Sequence, residues 1–156
     1  MAYQGRKKAR TSNSIHVTNH QGIPLYIGGI YAGNHHDLFA IIPPFQRLVA
    51  WGKRAGINPE GVRLNMDKGF DCQKLRRFCF RHGLIPNLKE NPRNRKNSKP
   101  GPKRLFEEEG YKNRFVCERT WAWFDSFRTL LVRFETSIAN WKTWHYLAAF
   151  MMVAKV

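Results

Sequence analysis

The stretch that decides the fold runs from Val62 to Asp71 and reads Val-Arg-Leu-Asn-Met-Asp-Lys-Gly-Phe-Asp. Its first five residues alternate apolar and polar side chains, which is the pattern of a half-buried β-strand. A helix is predicted over residues 72–82, with Asp71 as its N-cap and Gly83 as the residue that ends it. The stretch is therefore a strand, a turn and a helix. Asp67 falls at the carboxyl end of the strand, where α/β folds tend to place their working residues.

Further elements are predicted on both sides of this unit. A turn cluster separates two extended runs upstream, which indicates a β-hairpin, and the downstream third of the chain has helical spacing. The predicted order is strand, strand, helix, strand, helix, strand, helix and helix, over residues 15–17, 24–32, 38–51, 62–66, 72–82, 84–88, 106–135 and 138–155. This order predicts an α/β domain with a mixed sheet flanked by helices.

The charge balance indicates a polyanionic partner. The 156 residues include 27 Lys and Arg against 11 Asp and Glu, which gives a formal net charge of +16. Such an excess of positive charge favours nucleic acid as the partner. The length is that of a single domain, and a hydrophobic content of 42% is enough to build one core.

The cysteines and the apolar runs indicate the cellular compartment in which the protein is expected. Three cysteines without a Cys-x-x-Cys pair are predicted to be free thiols in a reducing compartment. No apolar signal segment follows the basic N-terminal residues. The longest apolar stretch, Tyr146–Ala154, is far short of the roughly 20 residues that cross a bilayer. These features predict a soluble protein that is neither secreted nor embedded in a membrane.

Residues 89–104 form a predicted basic loop. They hold seven Lys and Arg and a single Glu among Asn, Ser, Gly and three Pro residues. This density of positive charge exceeds what solubility requires, so contact with the phosphates of DNA or RNA is expected. The cations for which this contact is predicted include Arg93, Arg95, Lys96 and Lys99.

Four polar residues share one stripe of a predicted helix. At about 100° per residue, Tyr111, Arg114, Glu118 and Asp125 fall on the same side, and apolar side chains lie opposite. The stripe is either a solvated face with an Arg114–Glu118 ion pair or part of a functional site. The spacing alone does not decide between these two interpretations.

Three blocks of this sequence resemble the DDE transposases of bacterial insertion sequences, in particular the insertion-sequence-five-like group. The first block joins residues 22–25 to residues 32–37, and the second is residues 64–71. The third is Tyr111-x2-Arg114-x3-Glu118, which is similar to the signature Tyr-x2-Arg-x3-Glu, and the similarity continues to Arg128.

The resemblance implies an RNase-H-like fold and a metal-dependent reaction. In this family three carboxylates hold two divalent metal ions, which activate water or a 3′-hydroxyl for in-line attack on a phosphodiester. Carboxylates suit Mg²⁺ or Mn²⁺ because these ions prefer hard oxygen ligands. By the resemblance, Asp67 and Glu118 are the catalytic and metal-binding residues. Tyr111, Arg114, Arg119 and Arg128 are expected to contact DNA.

The resemblance also implies that part of the catalytic domain is missing. The family's first catalytic Asp lies on a strand upstream of the region that this chain matches. The chain is therefore expected to be the carboxyl part of an RNase-H-like domain that lacks its first strand, over residues 1–156. Its implied partners are DNA at the insertion-sequence ends and target, an upstream-frame polypeptide and further copies of itself. The family acts in the bacterial cytoplasm, at the nucleoid.

Two other functions stay open. A fragment that binds nucleic acid without catalysis could regulate the element. A basic RNA-binding module of ribosomal type accounts for the charge but not for Asp67 and Glu118 in their motifs. An isolated chain with two of three carboxylates is expected to be inactive, because the groups of such a site act as a unit.

Overall fold

A computed structural model describes residues 2–5, 8–36, 38–92 and 105–154. The chain forms two compact units. The terminal unit comprises residues 1–35 and 115–156, and the central unit comprises residues 36–114. The expectation of a single domain over residues 1–156 stays a prediction.

Strands and helices of both units follow the predicted order closely. The strands are β1 (Ala2–Gln4), β2 (Ala9–Thr18), β3 (Pro24–Ala32), β4 (Arg63–Asn65) and β5 (Ile85–Asn87). The helices are α1 (Ile42–Arg54), α2 (Gln73–Arg81), α3 (Glu108–Lys112), α4 (Phe115–Asp125), α5 (Arg128–Leu131) and α6 (Ile138–Ala154). The α/β class is confirmed.

In the terminal unit, β1, β2 and β3 form an antiparallel sheet in that order. The predicted hairpin is confirmed as β2 and β3, although β2 is much longer than the expected residues 15–17. Ser14 pairs with Ile30 and His16 pairs with Ile27, so the Gly28–Gly29 pair lies opposite Ile15 as a bulge. Glycine is required at position 28, because a Cβ there would lie 2.6 Å from the Ile15 carbonyl oxygen.

The helix predicted over residues 106–135 is wrong as a single element. It is divided into α3, α4 and α5. At the second break, the Ser126 hydroxyl donates to the Trp123 carbonyl oxygen at 2.7 Å. The Ser126 and Phe127 amides also bond three residues back rather than four, to Trp123 and Phe124. Such local bonds compete with the helical ladder and end it.

Phe124 on α4 is the centre of the terminal unit's core. It packs with Leu130 of α5 and Ala148 of α6. His16 of β2 and His145 of α6 are also buried beside it, with ring centroids 5.3 and 5.8 Å from that of Phe124. The core therefore joins the sheet to three helices, and it includes two titratable rings.

Burial lowers the pKa of both histidines. It lowers the pKa of His16 from 6.5 to about 3, with further lowering by the nearby charges of His145 and Lys142. Burial also lowers the pKa of His145, although its Nδ1 lies 2.9 Å from the Trp141 carbonyl oxygen. His16 stacks on Trp121 at 4.2 Å, and neither of its ring nitrogens has a hydrogen-bond partner in the described part of the chain.

The central unit holds the predicted strand–turn–helix segment. Strands β4 and β5 pair in parallel, Arg63 with Ile85 and Asn65 with Asn87. Helix α1 begins at Ile42, and the Pro43–Pro44 pair lies in its first turn, where the fixed φ of proline suits the helix. Helices α1 and α2 meet through Phe45 and Phe78, with their ring centroids 6.4 Å apart.

Asp71 does not cap α2, so that prediction is wrong. Cys72 is the N-cap, and its Sγ accepts from the Leu75 amide at 3.4 Å. The Asp71 carboxylate is 1% exposed and pairs with Arg76. Asp71 Oδ1 lies 2.8 Å from Arg76 Nε, and Asp71 Oδ2 accepts from the Asn91 amide at 2.8 Å. A carboxylate buried to this extent requires charged and hydrogen-bonding partners, which the cap position would not supply.

The strands lie in two separate sheets in the described residues, one antiparallel with three strands and one parallel with two. A single RNase-H-like mixed sheet that lacks its first strand stays a prediction. Among the residues whose structure is given, no helix has the length and apolar character needed to span a bilayer.

We expect acid to destabilise the terminal unit through His16. The unfolded chain takes up a proton near pH 6.5 but the folded chain does so only near pH 3, so the unfolding free energy falls as pH drops below 6.5. His16→Phe should flatten the decrease between pH 6.5 and 5 in urea-unfolding titrations. His20→Gln, at an exposed turn position, is the control and should leave the decrease unchanged.

We expect the buried Asp71–Arg76 pair to be essential for folding. Arg76→Met leaves the Asp71 carboxylate buried without its cation and should cost about 3–5 kcal/mol in urea unfolding. The matched control is Arg63→Met, because Arg63 pairs with Glu107 at an exposed position. That substitution should cost less than about 1 kcal/mol. Equal losses in the two variants would contradict the prediction.

Candidate functional site

Asp67 lies just beyond the carboxyl end of β4, where the sequence placed it. Strand pairing continues one residue past the strand, because the Met66 amide donates to the Asn87 carbonyl oxygen at 3.1 Å. Asp67 then caps a short 3₁₀ turn, Lys68–Phe70, and its Oδ2 accepts from the Gly69 amide at 3.2 Å. The residue is exposed, and Oδ1 has no partner among the described residues. One carboxylate oxygen can therefore meet a ligand from solvent.

Tyr111 is the centre of a cluster of cations and aromatic rings in the central unit. Its side chain is 4% exposed and its ring centroid lies 5.2 Å from that of Phe106. Lys89 Nζ lies 5.4 Å from the Tyr111 ring centroid and 5.8 Å from that of Phe106. Arg114 Cζ lies 4.9 Å from the Tyr111 ring centroid. We call Lys89, Phe106, Tyr111 and Arg114 the cation–aromatic cluster.

The break between α3 and α4 separates the predicted stripe into two parts. Tyr111 belongs to α3 and its side chain is buried, whereas Glu118 and Asp125 are exposed on α4. Arg114 is half-buried, and in the chain it follows α3 and precedes α4. The outward position of the two carboxylates agrees with the sequence, but the four residues do not share one helix.

Glu118 belongs to the first turn of α4 in the terminal unit. Its neighbours fasten α4 to the β2–β3 turn: Arg119 Nη2 donates to the Gln21 carbonyl oxygen at 2.9 Å, and Thr120 Oγ1 donates to the Gly22 carbonyl oxygen at 2.7 Å. The Arg119 guanidinium thus has a structural contact in addition to the predicted DNA contact. Arg128 is exposed at the start of α5.

Asp67 and Glu118 belong to different units, so a metal site that they share stays a prediction. In the described ranges, no group of three His, Cys, Asp or Glu side chains could hold a metal ion. Arg93, Arg95, Lys96 and Lys99 lie outside the described residues, and their predicted contact with DNA is untested.

Two central-unit residues with contacts around this site were given no individual role from sequence. Lys89 counted only as one of seven cations in the basic loop, and Asn87 had no role at all. Asn87 lies near the end of the predicted strand 84–88 and Lys89 directly follows it, and the carboxyl ends of parallel strands share one edge of a sheet. That position was the available signal, but it could be used only once β4 and β5 were known to pair.

A family model described as Transposase DDE domain matches residues 2–153. No curated protein matches the chain, and no solved structure matches it. The family match covers nearly all of the sequence, including both carboxylates and the cation–aromatic cluster. This chain therefore belongs to the transposase DDE domain family, whose activity is DNA transposition.

Proposed function

We propose that this chain is the carboxyl part of an insertion-sequence transposase of the insertion-sequence-five-like group, with an RNase-H-like catalytic domain that cleaves and joins DNA strands. The observation that carries the proposal is the placement of Asp67. An exposed carboxylate stands at the carboxyl end of a parallel strand, within the motif that resembles the second catalytic block. The family match supplies the reaction class, and this placement supports a catalytic role.

The cation–aromatic cluster supports the DNA contact. A cation over an aromatic ring is attracted by the ring's quadrupole, yet its positive charge is not cancelled as it is in an ion pair. Lys89 is exposed and forms no ion pair with the described residues. Tyr111 is buried, and in this proposal it serves as the platform that presents Lys89 and Arg114 to a DNA phosphate.

The two carboxylates suit a divalent cation by their chemistry. Both are exposed, and both offer hard oxygen atoms. Asp67 and Glu118 are the residues that would hold Mg²⁺ or Mn²⁺. A divalent metal pair supplies Lewis-acid activation of water or of a 3′-hydroxyl. The remaining carboxylate would come from upstream sequence, because the motifs of this chain provide only these two.

A nucleic-acid-binding regulator without catalysis is the second candidate. The net charge of +16 and the cation–aromatic cluster serve this function equally well. The two candidates differ in whether Asp67 and Glu118 bind metal, and stabilisation by Mn²⁺ tests that difference.

We expect Lys89 to contribute one phosphate contact. Lys89→Gln should weaken binding to a mixed-sequence DNA duplex and reduce the slope of log K against log[salt] by about 0.9. Lys142→Gln is the matched control, because Lys142 Nζ also lies 5.4 Å from a tyrosine ring, that of Tyr146, but in the terminal unit. Fluorescence anisotropy at several salt concentrations measures both slopes. Equal slope changes would place the contact elsewhere.

The basic loop is tested in the same titration. Replacing Arg93, Arg95, Lys96 and Lys99 together by Gln should reduce the slope further, because each neutralised phosphate adds about 0.9.

We expect Mn²⁺ to stabilise the chain through the two carboxylates. Added Mn²⁺ should raise the melting temperature, because a ligand that binds only the folded state stabilises it. Asp67→Asn and Glu118→Gln should each reduce the increase. The matched control is Asp125→Asn, which removes an exposed carboxylate from the same face of α4, seven residues beyond Glu118. An increase that persists in both variants would favour the regulator.

The same variants serve in a plasmid-nicking assay with Mg²⁺ or Mn²⁺. The chain alone should not cut DNA, whereas a fusion to the upstream frame should, and Glu118→Gln should abolish the cut. If the chain alone nicks DNA and its Glu118→Gln variant does not, another residue of this chain replaces the upstream carboxylate.

A further inference from the structure

We propose that Asn87 is a positioning residue that holds the Tyr111 helix against the strand end that carries Asp67. Its side chain would thereby fix where the cation–aromatic cluster lies relative to the candidate catalytic carboxylate. The inference rests on the proposed function, because the cluster matters for activity only if it contacts DNA. All the residues concerned belong to the central unit.

Asn87 ends β5 and is 2% exposed. Its Nδ2 donates to Asn65 Oδ1 at 2.7 Å and to the Glu107 carbonyl oxygen at 2.9 Å. Its Oδ1 accepts from the Glu107 amide at 2.9 Å. Both N–H groups of this side chain and its oxygen are therefore used. The amide group joins the ends of β4 and β5 to the residue that precedes α3.

The contact with Glu107 is made entirely through that residue's backbone. Asn87 pairs with both its amide and its carbonyl group, as one strand does with another. The same Glu107 carbonyl oxygen accepts from the Tyr111 amide at 3.2 Å, which closes the first turn of α3. A single carbonyl group is thus shared by Asn87 and Tyr111, and the start of α3 is fixed at the strand ends.

Only an asparagine side chain satisfies all three partner groups, which are the Asn65 side-chain oxygen and the carbonyl and amide groups of Glu107. Aspartate could accept from the Glu107 amide, but its carboxylate would face the Glu107 carbonyl oxygen without a donor. Alanine would remove three part-buried hydrogen bonds, one to Asn65 and two to the Glu107 backbone, which is unfavourable. In either variant the start of α3 loses its anchor, and with it the position of the Tyr111 ring relative to Lys89.

Direct evidence would come from the environment of the Tyr111 ring. In protein labelled with fluorotyrosine, Tyr111→Phe identifies the Tyr111 signal among the 5 tyrosines. Asn87→Ala should shift or broaden that signal. Glu107→Gln is the matched control, because it removes the Glu107 side-chain pair with Arg63 but leaves the backbone contact with Asn87 intact. The control should leave the signal in place.

The functional consequence is tested by a double-mutant cycle on DNA affinity. Asn87→Ala and Tyr111→Leu should each weaken binding of a labelled mixed-sequence duplex, by about five- to tenfold. The two losses should not add, because the first acts through the second. Additive losses, or an unchanged fluorine signal in Asn87→Ala, would overturn the proposal.

Two further outcomes are informative. If Asn87→Ala fails to fold, Asn87→Asp keeps the size and one hydrogen bond, and the same fluorine shift is expected from it. An unchanged Asn87→Asp spectrum overturns the proposal. If Tyr111→Leu leaves DNA affinity unchanged, the cation–aromatic cluster does not contact DNA, and Asn87 has no functional role through it. The fluorine signal then shows separately whether Asn87 still positions the helix.

Discussion

The buried pair between Asp71 and Arg76 is the constraint on which the central unit depends. Both charges are removed from water, so each requires partners at fixed positions. Arg76 Nη2 donates to the Leu88 carbonyl oxygen at 3.1 Å, and Asp71 accepts from the Asn91 amide. The chain beyond β5 is thereby held at two points on either side of Lys89. The ion pair therefore determines where this exposed cation stands, although it does not touch it.

Local patterns in the sequence predicted most of the fold. The hairpin, the strand after residue 61 and the end of α2 all follow from alternation, helical spacing and the glycine with positive φ at position 83. The long helix over residues 106–135 was wrong because the apolar spacing continues across the breaks. Short-range hydrogen bonds around residues 113 and 126 divide the helix, and the spacing of apolar residues gives no sign of them.

Only those residues of the candidate site that belong to a sequence motif could be predicted. Spacing within the motifs identified Asp67, Tyr111, Arg114 and Glu118. Asp71 was misassigned because an aspartate before a helix has the same sequence pattern whether it caps that helix or pairs elsewhere. Its partner amide belongs to a residue 20 positions away. The contacts of Asn87 likewise depend on strand pairing and on a segment 20 positions away, neither of which a local pattern contains.

Three described cations of the central unit have two different kinds of partner, and the difference bears on function. Arg76 and Arg63 are paired with carboxylates, so their charges are largely cancelled within the fold. Lys89 is held instead over two aromatic rings, which attract a cation but carry no net charge. Its positive charge therefore remains available to a phosphate. In the described part of the central unit, the buried cation Arg76 is thus neutralised by a carboxylate, whereas the exposed Lys89 lies over aromatic rings and keeps its charge for a polyanion.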